Sequence, residues 1–146
     1  MSNTGKLKIL FLCTANSCRS QMAEGWTRHL KDEVLEPYSA GVMAIPVDQK
    51  AVTVMAECGV DISGQQSKQI DEVIDIAFDI VITVCTSARR SCPVFSGTGK
   101  VVHVPFKDPP SLALNAKSED EALAHYRSVR DNIKAFIQKL PDNIIT

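Results

Sequence analysis

The chain has no apolar run near the roughly 18 residues needed to span a bilayer. Its first residues, Met1 to Lys8, are polar and lack the apolar centre of a secretory signal. Net charge is also scarce: 16 basic and 17 acidic residues leave −1. No global field draws in nucleic acid or an acidic membrane surface, so any preference for anions must be local. Internal repeats, linkers and low-complexity tracts are missing. None of the three histidines lies close in sequence to a cysteine pair, and they share no common spacing, so zinc spacing is missing and they read as structural or surface residues. The five cysteines, Cys13, Cys18, Cys58, Cys85 and Cys92, are odd in number and widely spread. They make a poor disulfide framework and a reasonable set of working thiols. A cytoplasmic protein is expected.

What is present is an ordinary globular mix. The 146 residues are 45% hydrophobic and 23% charged, enough for one domain, 1–146, with a real core. Lys8 to Leu12 reads as a buried strand. A helix follows, with Met22, Ala23, Trp26 and Leu30 on one face. Tyr38 to Gly41 predicts a short second strand. Pro46 is expected to open a second helix, with Ala51, Val54, Met55 and Cys58 inward and Gly59 at its C-terminal cap. Residues 61–69 read as loop and 70–76 as a short helix. Asp79 to Val84 is the clearest strand, and Lys100 to Val104 a fourth. Residues 107–117 are expected to be loop. Ser118 to Glu121 is a capping box for a last helix reaching about Lys139, with Leu123, Tyr126, Val129, Ile133, Phe136, Ile137 and Leu140 inward. Strands alternating with helices predict an α/β fold, a four-stranded parallel sheet with helices on both faces. Ligands of such sheets bind at the carboxyl ends of strands, where Cys13, Cys85 and Asp108 can meet.

The octapeptide Cys13-Thr14-Ala15-Asn16-Ser17-Cys18-Arg19-Ser20 carries the chemistry. A cysteine and an arginine bracket five residues between a strand and a helix. Inward backbone N–H groups and the helix's positive end form an oxyanion cradle there. Arg19 adds a planar charged fork, and the same field favours a Cys13 thiolate. The implied chemistry is attack by sulfur on a phosphate-like centre. Asn16 suits the left-handed backbone such a loop needs, and its amide can brace the loop. Ser20 either donates to the Cys13 sulfur, caps the helix, or does both. Cys18 reads as a small buried side chain facing away from the ligand.

Cys85 and Cys92 enclose a polar segment with Arg89 and Arg90. Metal ligation would want two more ligands nearby, and a permanent disulfide does not suit the cytoplasm. A redox pair that closes only during turnover fits better. The arginines would favour its thiolates, or simply make a solvated turn. Asp108, stiffened by Pro109 and Pro110, suits a general acid protonating a leaving oxygen, though Asp-Pro is also a common turn.

Residues Cys13 to Glu24, Tyr38-Ser39-Ala40-Gly41, Cys85 with Cys92, Asp108-Pro109 and Val129-Arg130-Asp131 together resemble the low-molecular-weight tyrosine phosphatase fold family. The branch they resemble is its thioredoxin-coupled arsenate reductases. The resemblance implies that Cys13 attacks arsenate while Arg19 and the loop residues Thr14, Ala15, Asn16, Ser17 and Cys18 bind the oxyanion. Asp108 protonates the departing hydroxyl. Cys85 then attacks Cys13, releasing arsenite, and Cys92 moves the disulfide to Cys85–Cys92 for thioredoxin to reduce. It implies no metal or organic cofactor in the chemistry. The alternative is a phosphomonoester hydrolase of the same family. Phosphatases of the family usually have proline where this chain has Gln21, and Asp-Pro-aromatic where it has Asp108-Pro109-Pro110. The stretch 107–121 is also longer than usual. Some members bind potassium through residues matching Asn16, Glu24, Ser39 and an aspartate. Lys68 falls at that aspartate, where its ammonium either pairs with Glu24 in place of the ion or is a solvated loop lysine.

Overall fold

The computed structural model describes residues 5–85, 97 and 99–144. Strand β1 (Leu7–Cys13) alternates its side chains between two apolar layers, as the two-residue strand period requires. Ile9, Phe11 and Cys13 enter one core cluster, and Leu10 and Leu12 the other. It pairs in parallel with β2 (Leu35–Gly41) on one side and β3 (Ile80–Thr83) on the other. Strand β4 (Lys100–His103) completes the order β2-β1-β3-β4. The crossover from β1 to β2 and the crossover from β2 back past β1 to β3 run in opposite directions along the sheet, so a crevice opens at the carboxyl end of β1.

Helix α1 (Arg19–Lys31) packs Met22, Ala23 and Trp26 on the first layer, and α4 (Glu119–Gln138) packs Tyr126, Val129, Ile133 and Ile137 there. The opposite layer is closed by Ile70, Val73, Ile74, Ile76 and Phe78, around a single 3-10 turn at Ile70–Glu72. Among the described residues no helix is long and apolar enough to cross a membrane.

Two expected boundaries move. Pro46 does not open the second helix: α2 spans Gln49–Ala56, and Asp48 is its cap, accepting the Lys50 amide at 2.9 Å. The helix ends as predicted around Gly59, whose φ of +77° lets the Gly59 and Val60 amides reach the carbonyls of Ala56 and Met55. Residues 107–117 are not all loop, because Pro109–Ala113 forms the short helix α3. Its two prolines occupy N1 and N2, where the absent N–H groups have no helical partner to lose. Ser118 caps α4 by accepting the Glu121 amide at 3.1 Å, while the Glu121 carboxylate reaches back to the Lys117 amide rather than to that of Ser118.

Candidate active site

Cys13 ends β1, and the next residues turn their carbonyls outward. The amides of Met43, Ile45 and Asp48 donate to the carbonyls of Thr14, Ala15 and Ser17 at 3.0, 3.1 and 2.9 Å. Gln21 donates its side-chain amide to the Asn16 carbonyl at 2.9 Å. With the carbonyls held from outside, the amides of Thr14 and Ala15 turn to the Cys13 sulfur. Asn16 has φ of +50° and is fully buried. Its side chain accepts the Lys68 amide at 2.7 Å and donates to Ser20 Oγ at 2.8 Å, bracing the loop as its residue type suggests. Gly41, beside Cys13 in the sheet register, lets this loop come close. A Cβ there would stand 2.8 Å from the Asn16 nitrogen and the Thr14 oxygen.

Ser20 is not the helix cap. Cys18 holds that position without a side-chain hydrogen bond, and Ser20 is buried as the second residue of α1. The positive end of α1 points at the loop, and its first turn has no acidic residue to compete with a bound anion. Arg19 reaches across the crevice and is almost buried. One nitrogen donates to the carbonyls of Phe106 at 3.0 Å and Val84 at 3.4 Å, and another stands 3.5 Å from Asp108. Asp108 is the N-cap residue of α3, and its carboxylate accepts the Ser111 hydroxyl at 2.8 Å.

Cys85 follows β3 and is buried against the same loop. The Cys85 thiol hydrogen-bonds the Cys13 sulfur, and the Thr14 hydroxyl lies 4.0 Å from the Cys85 sulfur. That hydrogen bond, with the Arg19 charge and the Thr14 and Ala15 amides, outweighs burial and lowers the Cys13 pKa to about 6. Cys18 goes the other way: burial first, then the Asp48 and Asp108 charges, push its thiol well above the usual range. Though Cys18 lines the cavity, it is kept neutral. Cys13, Cys18, Cys58 and Cys85 are all free thiols. Cys92, Arg89 and Arg90 lie outside the described residues.

Cys13, Thr14, Ala15, Ser17, Cys18, Arg19, Cys85 and Asp108 line a cavity of about 650 Å³, which also takes in Ile45, Asp48, Pro110 and Ser111. Asp48 and Ile45 are site residues that the sequence pattern did not single out. The one available signal was an aspartate just before the apolar stripe of α2, which reads as a cap.

The expected pairing of Lys68 with Glu24 is not made. The Lys68 ammonium donates to the Gln66 carbonyl at 3.0 Å, and its contribution to the loop is its backbone amide. Glu24 is paired instead with Arg28, one helical turn on, at 2.7 Å, and accepts the Ser39 hydroxyl at 2.6 Å. Gln65 holds both Arg28 and Gln21 at 2.8 Å. The oxygens of Asn16 and Glu24 that would ligate a cation are thus engaged by N–H and O–H donors, and the arrangement does not fit potassium.

Residues 8–144 match the model of the family described as low molecular weight phosphotyrosine protein phosphatase. The arsenate reductase of Bacillus licheniformis is 44% identical over 138 residues, covering 94% of this chain and 96% of that protein. A solved arsenate reductase in the phosphate binding state has a TM-score of 0.78 at 30% identity, covering 94% of this chain and 98% of that one. The thioredoxin-dependent arsenate reductase of Corynebacterium glutamicum shares the fold, with a TM-score of 0.67 at 23% identity over 98% of this chain and 64% of that one. A loop from Cys13 to Arg19 at the end of β1 in a β2-β1-β3-β4 sheet and these likenesses lead to one conclusion: the chain belongs to the low molecular weight phosphotyrosine protein phosphatase family, in the branch of its arsenate reductases.

Proposed function

We propose that the chain reduces arsenate to arsenite by a relay of three thiols, with thioredoxin as the reductant. The observation that carries this reading is the Cys85 thiol hydrogen-bonded to the low-pKa Cys13 sulfur inside the oxyanion loop. Hydrolysis of a phosphate ester needs no second thiol there.

Cys13 attacks arsenic as a thiolate while Arg19 and the loop residues 14–18 hold the oxyanion. Asp108, set 3.5 Å from Arg19, protonates the hydroxyl that leaves as water. Ser20 supports the loop through Asn16. Cys85, losing its proton, then attacks the Cys13 sulfur. The sulfur–sulfur bond forms as the sulfur–arsenic bond breaks, and its electron pair leaves on arsenic as arsenite. Cys92 attacks Cys85 and frees Cys13, and thioredoxin returns two electrons to the Cys85–Cys92 disulfide. No resident metal or organic cofactor is required. The reading suits the cytoplasm, where thiols are kept reduced.

The test is arsenite formation with a thioredoxin system, run beside hydrolysis of an aryl phosphate. Cys92→Ser should form roughly one arsenite per chain and stop as the Cys13–Cys85 disulfide. Cys85→Ser should stall before arsenite leaves. Full multiple turnover by Cys92→Ser with thioredoxin as sole reductant would exclude the relay. Fast ester hydrolysis without arsenite would favour the phosphatase reading.

A further inference from the structure

Two carboxylates line the oxyanion cavity, and the relay uses only Asp108. The other, Asp48, is held on both oxygens. Oδ1 accepts the Lys50 amide at 2.9 Å, and Oδ2 accepts the Tyr126 hydroxyl at 2.6 Å. Tyr126 is buried to 3% exposure and projects from α4, so two helices fix this carboxylate at the cavity wall. Both donors are neutral, and the Lys50 ammonium is turned to Glu119 at 3.8 Å. The titratable and charged groups around Asp48 are Cys13, Cys18 and Arg19 from the loop and α1, Cys85 after β3, Lys50 on α2, Asp108 at the head of α3, and Tyr126 and Glu119 on α4.

A fixed negative wall in an anion site is repulsive unless a proton lies between the charges. A tetrahedral oxyanion that keeps an O–H can donate it to the carboxylate, in a charge-assisted hydrogen bond. An oxyanion with no proton meets only repulsion, which is how a site rejects a near-isosteric competitor. Arsenate and phosphate keep a proton near neutral pH, and sulfate does not.

We propose that Asp48, positioned by Tyr126, is a specificity-determining residue that admits protonated tetrahedral oxyanions and turns away fully ionised ones. It deepens the arsenate-reductase reading and rests on it for the identity of the substrate. The selection itself is a property of binding and can be measured without turnover.

The test is calorimetric titration of inorganic phosphate and of sulfate, near neutral pH and at equal ionic strength, into Cys13→Ser protein with and without Asp48→Asn. The serine removes a thiolate that would otherwise repel dianions by itself. Asparagine caps a helix about as well as aspartate through its one oxygen, and its NH2 group can donate to the Tyr126 oxygen, so the local fold is kept. Phosphate should be preferred over sulfate by about tenfold or more in the parent, and Asp48→Asn should erase about tenfold of that preference by raising sulfate affinity. Tyr126→Phe, which leaves the charge but loosens it, should fall between. An unchanged ratio in Asp48→Asn overturns the proposal. Equal affinities in the parent, or no phosphate binding in either form, overturn it as well. Failure of the arsenate-reductase reading would appear separately, as no arsenite formed by the parent enzyme with an intact phosphate-to-sulfate ratio.

Discussion

Cys13 is buried, which alone would hold its proton, yet its pKa falls to about 6. The Cys85 hydrogen bond is the largest cause, ahead of the Arg19 charge and the two loop amides. Alkylation of Cys13 by iodoacetamide, followed by mass spectrometry, should therefore rise with a midpoint near pH 6 and fade below it. Cys85→Ala should move that midpoint upward, and Cys18 should stay unmodified throughout. A Cys13 midpoint near 9.0, its ordinary value, would contradict the assigned hydrogen bonds. The sign for stability follows from linkage. The folded state favours the thiolate, so this group adds stability as pH rises from about 6 towards 9.0 and adds none at lower pH. Cys13→Ser should lose both arsenate reduction and any ester hydrolysis, because a hydroxyl stays protonated in the same field. Residue types made much of this legible: a cysteine, an arginine and a left-handed asparagine in one loop are enough to predict an oxyanion cradle. The sulfur–sulfur hydrogen bond was not legible, because Cys13 and Cys85 come from different strands.

At the scale of elements, α1 shows how local spacing and distant packing divide the work. Its inward face was readable from the helical repeat. The Glu24–Arg28 pair is also a local one, at the i,i+4 spacing, but its importance comes from burial. The Glu24 side chain is 7% exposed and takes the Ser39 hydroxyl from β2 as well. Arg28→Met should therefore cost about 1–3 kcal/mol, since a buried carboxylate loses its charged partner. Chemical denaturation would measure this. The unmodified protein should show the same melting temperature and activity in potassium and sodium at equal ionic strength, because donors already fill the carboxylate. A potassium-specific stabilisation would contradict the Arg28 pairing. Lys68 was a reasonable candidate from sequence position, but its side chain leaves the loop while its amide stays. The helix α3 was hidden by Asp108-Pro109-Pro110, since a proline pair signals a turn as readily as a helix start.

At the scale of the whole molecule, the site exists because three strand ends converge. β1 delivers Cys13, β3 delivers Cys85, and the chain beyond β4 delivers Phe106 and Asp108 to Arg19. β2 contributes by keeping out of the way at Gly41. Gly41→Ala should push the Thr14–Asn16 backbone and weaken oxyanion binding more than it weakens the fold. Thermal unfolding with added phosphate checks this. At about 100 times its dissociation constant, phosphate should stabilise the parent by about 2.7 kcal/mol, and the variant should gain far less at the same concentration. An equal gain would show that the loop tolerates the methyl group.

The sequence by itself determined the α/β class, the four strands, the inward faces of α1 and α4, and the Cys13–Arg19 loop between β1 and α1. Each of these rests on short-range rules: side-chain period, turn chemistry and the fixed reach of a seven-residue loop. Only the tertiary structure decided that the Lys68 ammonium turns away from Glu24, that Asp48 and Tyr126 form the far wall of the cavity, and that the Cys85 thiol hydrogen-bonds the Cys13 sulfur. Those contacts join residues up to 78 positions apart, as Asp48 and Tyr126 are. Their partners are chosen by where strands end and helices cross, and short-range periodicity carries no record of that.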